Sequence, residues 1–310
     1  MDNINERLLF NNSVEVHDYH IHYIVFSVIV FTLLPIVLIG NGLIVAVVCK
    51  FQSLQEPSYM LLASLAISDF ISGILYSWCM IIVLVSDTTS AVNLMLVLPI
   101  GNVLVFQWCT SQLHIVALAL IRYWCIMQPF KYLQVTKRRA LILCVGVWVM
   151  GISIGGLFYV TKQMVFANGT PTNLIFSYSV YIILRLVMFG LAITVTLALH
   201  FRVYREAKRH SRQIAATTSS SAGVNVGRID FRAAKTTSRI LRVYLLCITP
   251  AIVISITLVF PIPVVYDFVN VYALVFIQTG MINALANPLI YARADKKFRH
   301  AIGKLFHIRR

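Results

Sequence analysis

The chain has 310 residues, 59% of them hydrophobic and only 12% charged, with a formal charge of +15 at pH 7. A charged fraction about half the roughly 25% of soluble domains excludes an ordinary soluble enzyme or binding module and marks an integral membrane protein. The basic excess would suggest nucleic acid in a soluble chain; in a membrane protein it reports orientation once located, and no nucleic-acid partner is expected.

Residues 1–22 are polar and carry Asp2, Glu6, Glu15 and Asp18 where a cleavable signal peptide would have a basic start and an apolar core. The first apolar run is therefore expected to act as the targeting signal. Seven uncharged runs follow, at 23–48, 58–86, 91–121, 140–161, 174–201, 243–266 and 268–292. Each reaches the roughly 20 residues that a helix needs to cross a bilayer. Only Asp69 and Arg185 place a formal charge inside them. The division expected is an extracellular tail at 1–22, a membrane domain at 23–292, and a cytoplasmic surface helix and tail at 293–310.

Of 26 Lys and Arg, all but Arg7, Lys162 and Arg185 lie in the loops after runs one, three and five or in the final tail. Cytoplasmic segments are the ones enriched in basic residues, so the amino terminus is expected outside a plasma membrane and the tail inside. The sequons Asn11-Asn12-Ser13 and Asn168-Gly169-Thr170 both fall on the external side, making Asn11 and Asn168 glycosylation candidates; chance placement is the alternative for each. Six cysteines occur inside the runs or on the basic side, a placement that predicts no disulfide framework. The long connection from 202 to 242 opens with Arg205, Lys208, Arg209 and Arg212 and leads into a serine-rich centre at 217–223. That centre is expected to be disordered, between helical extensions of runs five and six.

Several short motifs carry chemistry. Run seven contains Asn283-Ala284-Leu285-Ala286-Asn287-Pro288-Leu289-Ile290-Tyr291. Pro288 kinks the helix and frees a carbonyl that needs another partner, for which Asn287 is the obvious local candidate. Beyond Tyr291, basic residues from Arg293 to Lys304 alternate with Phe298, Ile302, Leu305 and Phe306 at helical spacing, the pattern of an amphipathic helix on a membrane surface. Run three ends in Arg122-Tyr123, with Pro129-Phe130 beginning seven residues after Arg122. An isolated arginine at a span end simply snorkels to the headgroups. Gly40-Asn41, Leu65-Ala66-Ile67-Ser68-Asp69, Trp148 and Pro250 complete the set. Asp69 is costly at mid-membrane unless it is paired, protonated or coordinating an ion.

Together these motifs, spread over the whole chain, resemble the rhodopsin-like G protein-coupled receptors. The resemblance implies an all-α membrane protein, a seven-transmembrane helix bundle with a C-terminal amphipathic surface helix, that is a receptor and not an enzyme. Its implied partners are membrane lipid, a heterotrimeric G protein and an extracellular small-molecule or peptide ligand. Arg122, Tyr123, Pro129, Phe130 and Tyr291 would meet the G protein. Ser111, Asn283 and Asn287 would join Asp69 around a sodium ion that holds the resting state; a protonated Asp69 in a structural hydrogen-bond network is the alternative.

Departures from the family pattern sharpen the expectation. Ile121 stands where relatives carry an acid beside the arginine, which implies raised signalling without ligand. Asp230 is a possible substitute, but an exposed pair there would be worth about 1 kcal/mol or less. Ile248 stands where relatives usually place a tryptophan, so the family's usual aromatic trigger is absent. Val97 replaces a cysteine and 162–173 contains none, which removes the family's extracellular disulfide; that loss and the absence of a proline in run five are similar to the melanocortin, lysophospholipid and cannabinoid receptor grouping. No cysteine follows Cys247, so tail palmitoylation is not expected. Leu104 occupies the place of the amine receptors' aspartate, and run seven has no lysine for retinal. Arg185 is the positive clue: it would bind a ligand carboxylate or phosphate, snorkel outward, or pair with Tyr178 or Tyr181. By depth, Tyr76, Gln107, Trp108, Tyr272 and Gln278 would line a ligand pocket or simply pack. A transporter or channel is the competing class, but such proteins usually carry internal repeats, and none is evident here.

Overall fold

The structure is a computed structural model that describes residues 2–85, 91–167, 171–217, 242–250, 252–256 and 265–307. No strand occurs among the described residues. The order is α1 (Asp2–Lys50), a single 3-10 turn (Gln52–Leu54), α2 (Pro57–Val85), α3 (Ala91–Met127), the short α4 (Pro129–Leu133), α5 (Lys137–Ala167) and α6 (Pro171–Thr217). Then come α7 (Arg242–Ile256), α8 (Val265–Ala294) and α9 (Lys296–Leu305).

Among the described residues, α1, α2, α3, α5 and α6 each contain a stretch long and apolar enough to cross a membrane. The sixth expected run begins as α7, and 257–264 lie outside the described residues, as do Asn168, Asp230 and most of the serine-rich centre. Two elements are longer than the uncharged runs suggested. The backbone of α1 is helical from Asp2, through the polar segment expected to be a separate tail. No glycine or proline interrupts the chain before Pro35, so a helix once nucleated can propagate to the start. On the basic side, α6 runs on to Thr217 as the helical extension expected of run five, carrying Arg205, Lys208, Arg209 and Arg212.

Local chemistry explains the breaks. Gln128 precedes a proline and has left helical geometry (φ −140°, ψ 63°), which ends α3 and lets Pro129 open α4 at its first position. Asp295 is extended (φ −102°, ψ 114°) and its side chain accepts the Phe298 N–H, capping α9.

α1 packs along α2 and α8, and α3 packs against α2, α5 and α6. The apolar stretches of α2 and α3 are 56% buried against 17% for α6, which makes α2 and α3 the inner helices. Close approach rests on glycines at several crossings, among them Gly151 and Gly155 of α5 against Thr110 and Phe106 of α3. A Cβ on Gly40 would meet Pro288 Cγ at 2.8 Å, and one on Gly280 would meet Tyr76 Cζ at 2.6 Å. Several hydroxyls among the described residues fold back on the carbonyl one turn earlier, as Thr32 does on Val28 and Ser72 on Ser68, which satisfies them without water.

Candidate functional site

The inner faces of α2, α3, α7 and α8 border a small cavity of about 20 Å³, room for about one water-sized guest, lined by Asp69, Gln107, Trp108, Ser111, Tyr244, Ile248 and Asn283, among others. Asp69 is 2% exposed, and the amide of Asn287 on α8 donates to its Oδ2 at 2.7 Å. Gln107 donates to both the carbonyl and the hydroxyl of Ser68. Three buried oxygens on the cavity wall, Gln107 Oε1, Ser111 Oγ and Tyr244 Oη, have no hydrogen-bond partner among the described residues. Unsatisfied polar atoms turned toward a common space are where a hydrated or oxygen-seeking guest fits. Thus Asp69, Ser111 and Asn283 share one cavity, and Asn287 holds the carboxylate from outside its lining.

The carbonyl freed by Pro288 belongs to Ala284, one turn earlier, and the local partner expected for it was Asn287. The structure gives that carbonyl to Asn41 on α1, whose amide donates to Ala284 O and to its own Val37 O, each at 3.0 Å. The correction follows from geometry: Asn287 is turned toward Asp69, and the close approach at Gly40 brings the next residue of α1 to the kink.

A second polar layer joins α2, α3 and α5. Trp148 Nε1 donates to Ser64 Oγ at 3.0 Å, and Ser64 Oγ lies 2.8 Å from His114 Nε2. His114 Nδ1 is 2.8 Å from the Thr110 carbonyl, an acceptor, so Nδ1 carries the proton and Nε2 accepts from Ser64. Trp148 also stands edge-on to His114, with centroids 5.9 Å apart. Trp148 was legible as a family match, whereas Ser64 and His114 were not assigned roles; a histidine in an otherwise uncharged run was the available signal.

At the basic side the expected coupling residues separate. Phe130 is 82% exposed on α4, while Tyr291 is buried and meets Phe298 of α9 edge-on at 6.3 Å. Arg122 is half-buried, and its Nε has no hydrogen-bond partner among the described residues. Tyr123 packs on a cluster of Ile126, Val203 and Ala207 between α3 and α6. Pro129 is placed by its backbone at the start of α4. Around them α9 is tied to α2: Tyr59 donates to Asp295 Oδ2 at 2.7 Å, and Lys297 pairs with Glu56 at 2.9 Å. On α4, burial pushes the Tyr132 phenol above its ordinary range, opposed by its hydrogen bond with Ser58, so it remains a neutral hydroxyl.

Arg185 is 8% exposed, and its guanidinium donates to Ser255 Oγ of α7 at 3.4 Å, so it faces the bundle interior and does not snorkel. The side chains of Tyr178, Tyr181 and Tyr272 lie outside the described residues, as does that of Asn11. Gln278 donates to Phe26 O of α1 at 2.8 Å and does not join Gln107 and Trp108 on the cavity wall. Trp108 meets Phe189 of α6 edge-on at 5.9 Å.

Comparison with known proteins matches residues 40–291 to the 7 transmembrane receptor (rhodopsin family). The chain is 26% identical over 274 residues to lysophosphatidic acid receptor 3 of Mus musculus, covering 86% of this chain and 74% of that receptor. It is 26% identical over 281 residues to melanocortin receptor 5 of Homo sapiens, covering 86% and 80%. With 5-hydroxytryptamine receptor 1B of Spalax ehrenbergi it shares 26% over 343 aligned positions, covering 87% and 84%. A match from residue 40 to residue 291, over a helical bundle with a polar internal cavity, makes this chain a member of the rhodopsin family of seven-transmembrane receptors.

Proposed function

We propose that the receptor lies in the plasma membrane with residues 1–22 outside and 293–310 inside, binds an anionic or lipid-like ligand that is not an amine, and activates heterotrimeric G proteins. Asn11 and Asn168 are then on the glycosylated face. The observation that carries the ligand reading is Arg185, a guanidinium buried inside the bundle and linked to α7 through Ser255. A charge at that depth faces the interior because hydrocarbon excludes it, and a guanidinium matches a carboxylate or phosphate in two-pronged hydrogen bonds. The relatives' names span a phosphate-bearing lipid, a melanocortin and an amine. Leu104 in place of an acid disfavours the amine, and Arg185 favours the lipid acid. Gln107 and Trp108 line the internal cavity, while Tyr272 and Gln278 are ligand candidates by depth alone, Gln278 being turned to Phe26 O.

Ligand binding shifts an existing equilibrium by its differential affinity for two states, and G protein binding strengthens ligand binding in return. Arg122, Tyr123, Pro129, Phe130 and Tyr291 form the G protein face, with the basic end of α6 beside them. Asp69, Ser111, Asn283 and Asn287 would hold a sodium ion: the first three share one cavity, and their oxygens suit a hard cation. Among the described residues no group of three His, Cys, Asp or Glu competes as a transition-metal site. The ion would supply the positive charge that lets Asp69 stay ionised, tying α2, α3 and α8 together at rest.

The test is guanine-nucleotide exchange on purified receptor in lipid nanodiscs, with a panel of G proteins and of lysophospholipids, fatty acids and amines. An anionic lipid should accelerate exchange, and Arg185→Ala should lower its potency at least about tenfold, on the scale of one lost charge-assisted contact. Unchanged potency in Arg185→Ala, or stimulation by amines alone, would overturn the ligand reading.

A further inference from the structure

The basic ends of α7 and α8 form a groove with the same design on each wall. α7 contributes Arg242, Val243 and Leu246; α8 contributes Leu289, Ile290 and Arg293. In both helices an arginine stands at the basic end; Val243 lies next to Arg242, and Leu246, Leu289 and Ile290 lie about one turn deeper. The apolar part is open, with Leu246 74% and Leu289 47% exposed. Arg293 has no carboxylate partner among the described residues. Arg299 of α9 donates to the Arg293 carbonyl at 2.8 Å, which places a third guanidinium against the Arg293 backbone.

We propose that this groove binds one anionic phospholipid of the cytoplasmic leaflet, with its phosphate between Arg242 and Arg293 and an acyl chain along Leu246, Leu289 and Ile290. The order of chemistry from the bundle's end inward, cationic and then aliphatic, is the order of a phospholipid from headgroup to tail. Basic pockets between membrane helices on the cytoplasmic side take such headgroups, each arginine worth about a fivefold gain. A soluble phosphate would use the arginines but leave the aliphatic walls bare. A peptide would have to enter the hydrocarbon to reach Leu246. The bound lipid would touch α7 and α8 together, so its occupancy would depend on their separation. The inference needs only the membrane placement of these helices and is independent of the ligand and of G protein choice.

The probe is a phosphatidylinositol bisphosphate in phosphatidylcholine nanodiscs holding full-length receptor, with bound lipid counted by native mass spectrometry. Two double variants are compared at equal monodispersity: Arg242→Gln with Arg293→Gln, and the charge-matched Lys208→Gln with Arg212→Gln on α6. The groove variant should lose bound lipid by about 30-fold while the α6 variant changes less than twofold. Leu246→Gln should weaken binding with all charges intact, and free inositol phosphate should fail to compete at equal concentration. Equal losses in both double variants would mean diffuse attraction to a basic face. Full competition by the free headgroup, or no effect of Leu246→Gln, would mean a phosphate site without a lipid tail. Each of these results overturns the proposal.

Discussion

Asp69 shows how a single side chain acquires a role from what is turned toward it. The carboxylate was conspicuous in the sequence because it is one of two formal charges within the uncharged runs. Its surroundings were not readable from hydropathy, which cannot say that Ser111 and Asn283 border the same space or that Asn287 donates to it at 2.7 Å. If sodium sits there, exchanging sodium for choline should raise basal nucleotide exchange or agonist affinity severalfold, and Asp69→Asn should abolish the difference. A native protein blind to the swap, or an Asp69→Asn variant as sensitive as the native one, would leave the protonated carboxyl as the better account. Gln107 illustrates the opposite outcome for sequence reasoning: depth alone nominated it as pocket lining, but its amide nitrogen is committed to Ser68, leaving only Oε1 for a guest.

At the scale of helices, the kink in α8 and the cap of α9 are both side-chain solutions to a missing backbone partner. Proline chemistry made the kink legible, yet the helper comes from a residue 243 positions away in the chain, a contact that no local pattern encodes. The α9 cap, by contrast, is local: Asp295 stands three residues before Phe298, whose N–H it accepts. Its second oxygen takes the Tyr59 hydroxyl, so the same carboxylate fixes where α9 starts and where it lies on α2. Replacing Asn41 by Ala leaves the Ala284 carbonyl without that donor. Interhelical hydrogen bonds in membranes are worth about 0.6–1.7 kcal/mol. A fall in melting temperature of about 2–4 °C in detergent is therefore expected for a protein of this size. A drop below about 1 °C would show that the carbonyl finds another donor and that the clasp is incidental.

For the bundle as a whole, the question is what holds the resting arrangement at its basic end. The ends of helices were legible where proline or a charge run marks them, as at Pro129, and illegible where a polar segment simply continues a helix, as in α1. The absence of an acid beside Arg122 was also legible, and the structure adds its consequence. Ile121 is 1% exposed and packs with Leu61, Leu65 and Cys144, so that position bonds α2, α3 and α5 by apolar contact alone. No acid on α3 restrains Arg122, and its Nε has no hydrogen-bond partner among the described residues. Two ties at this end, Tyr59 to Asp295 and Lys297 to Glu56, join α9 to the start of α2, and Ser58 meets Tyr132 of α4. A brake worth about 1 kcal/mol corresponds to about a fivefold change in the ratio of active to resting receptor. Basal nucleotide exchange should therefore exceed that of empty vector severalfold at matched surface expression, and Arg122→Ala should remove the excess. Restoring an acid by Ile121→Asp is a poor control, because a carboxylate in that apolar cluster would destabilise the fold before it could restrain Arg122. Basal exchange equal to empty vector, with the receptor at the cell surface, would mean that apolar packing around Ile121 holds the resting state without an ionic brake.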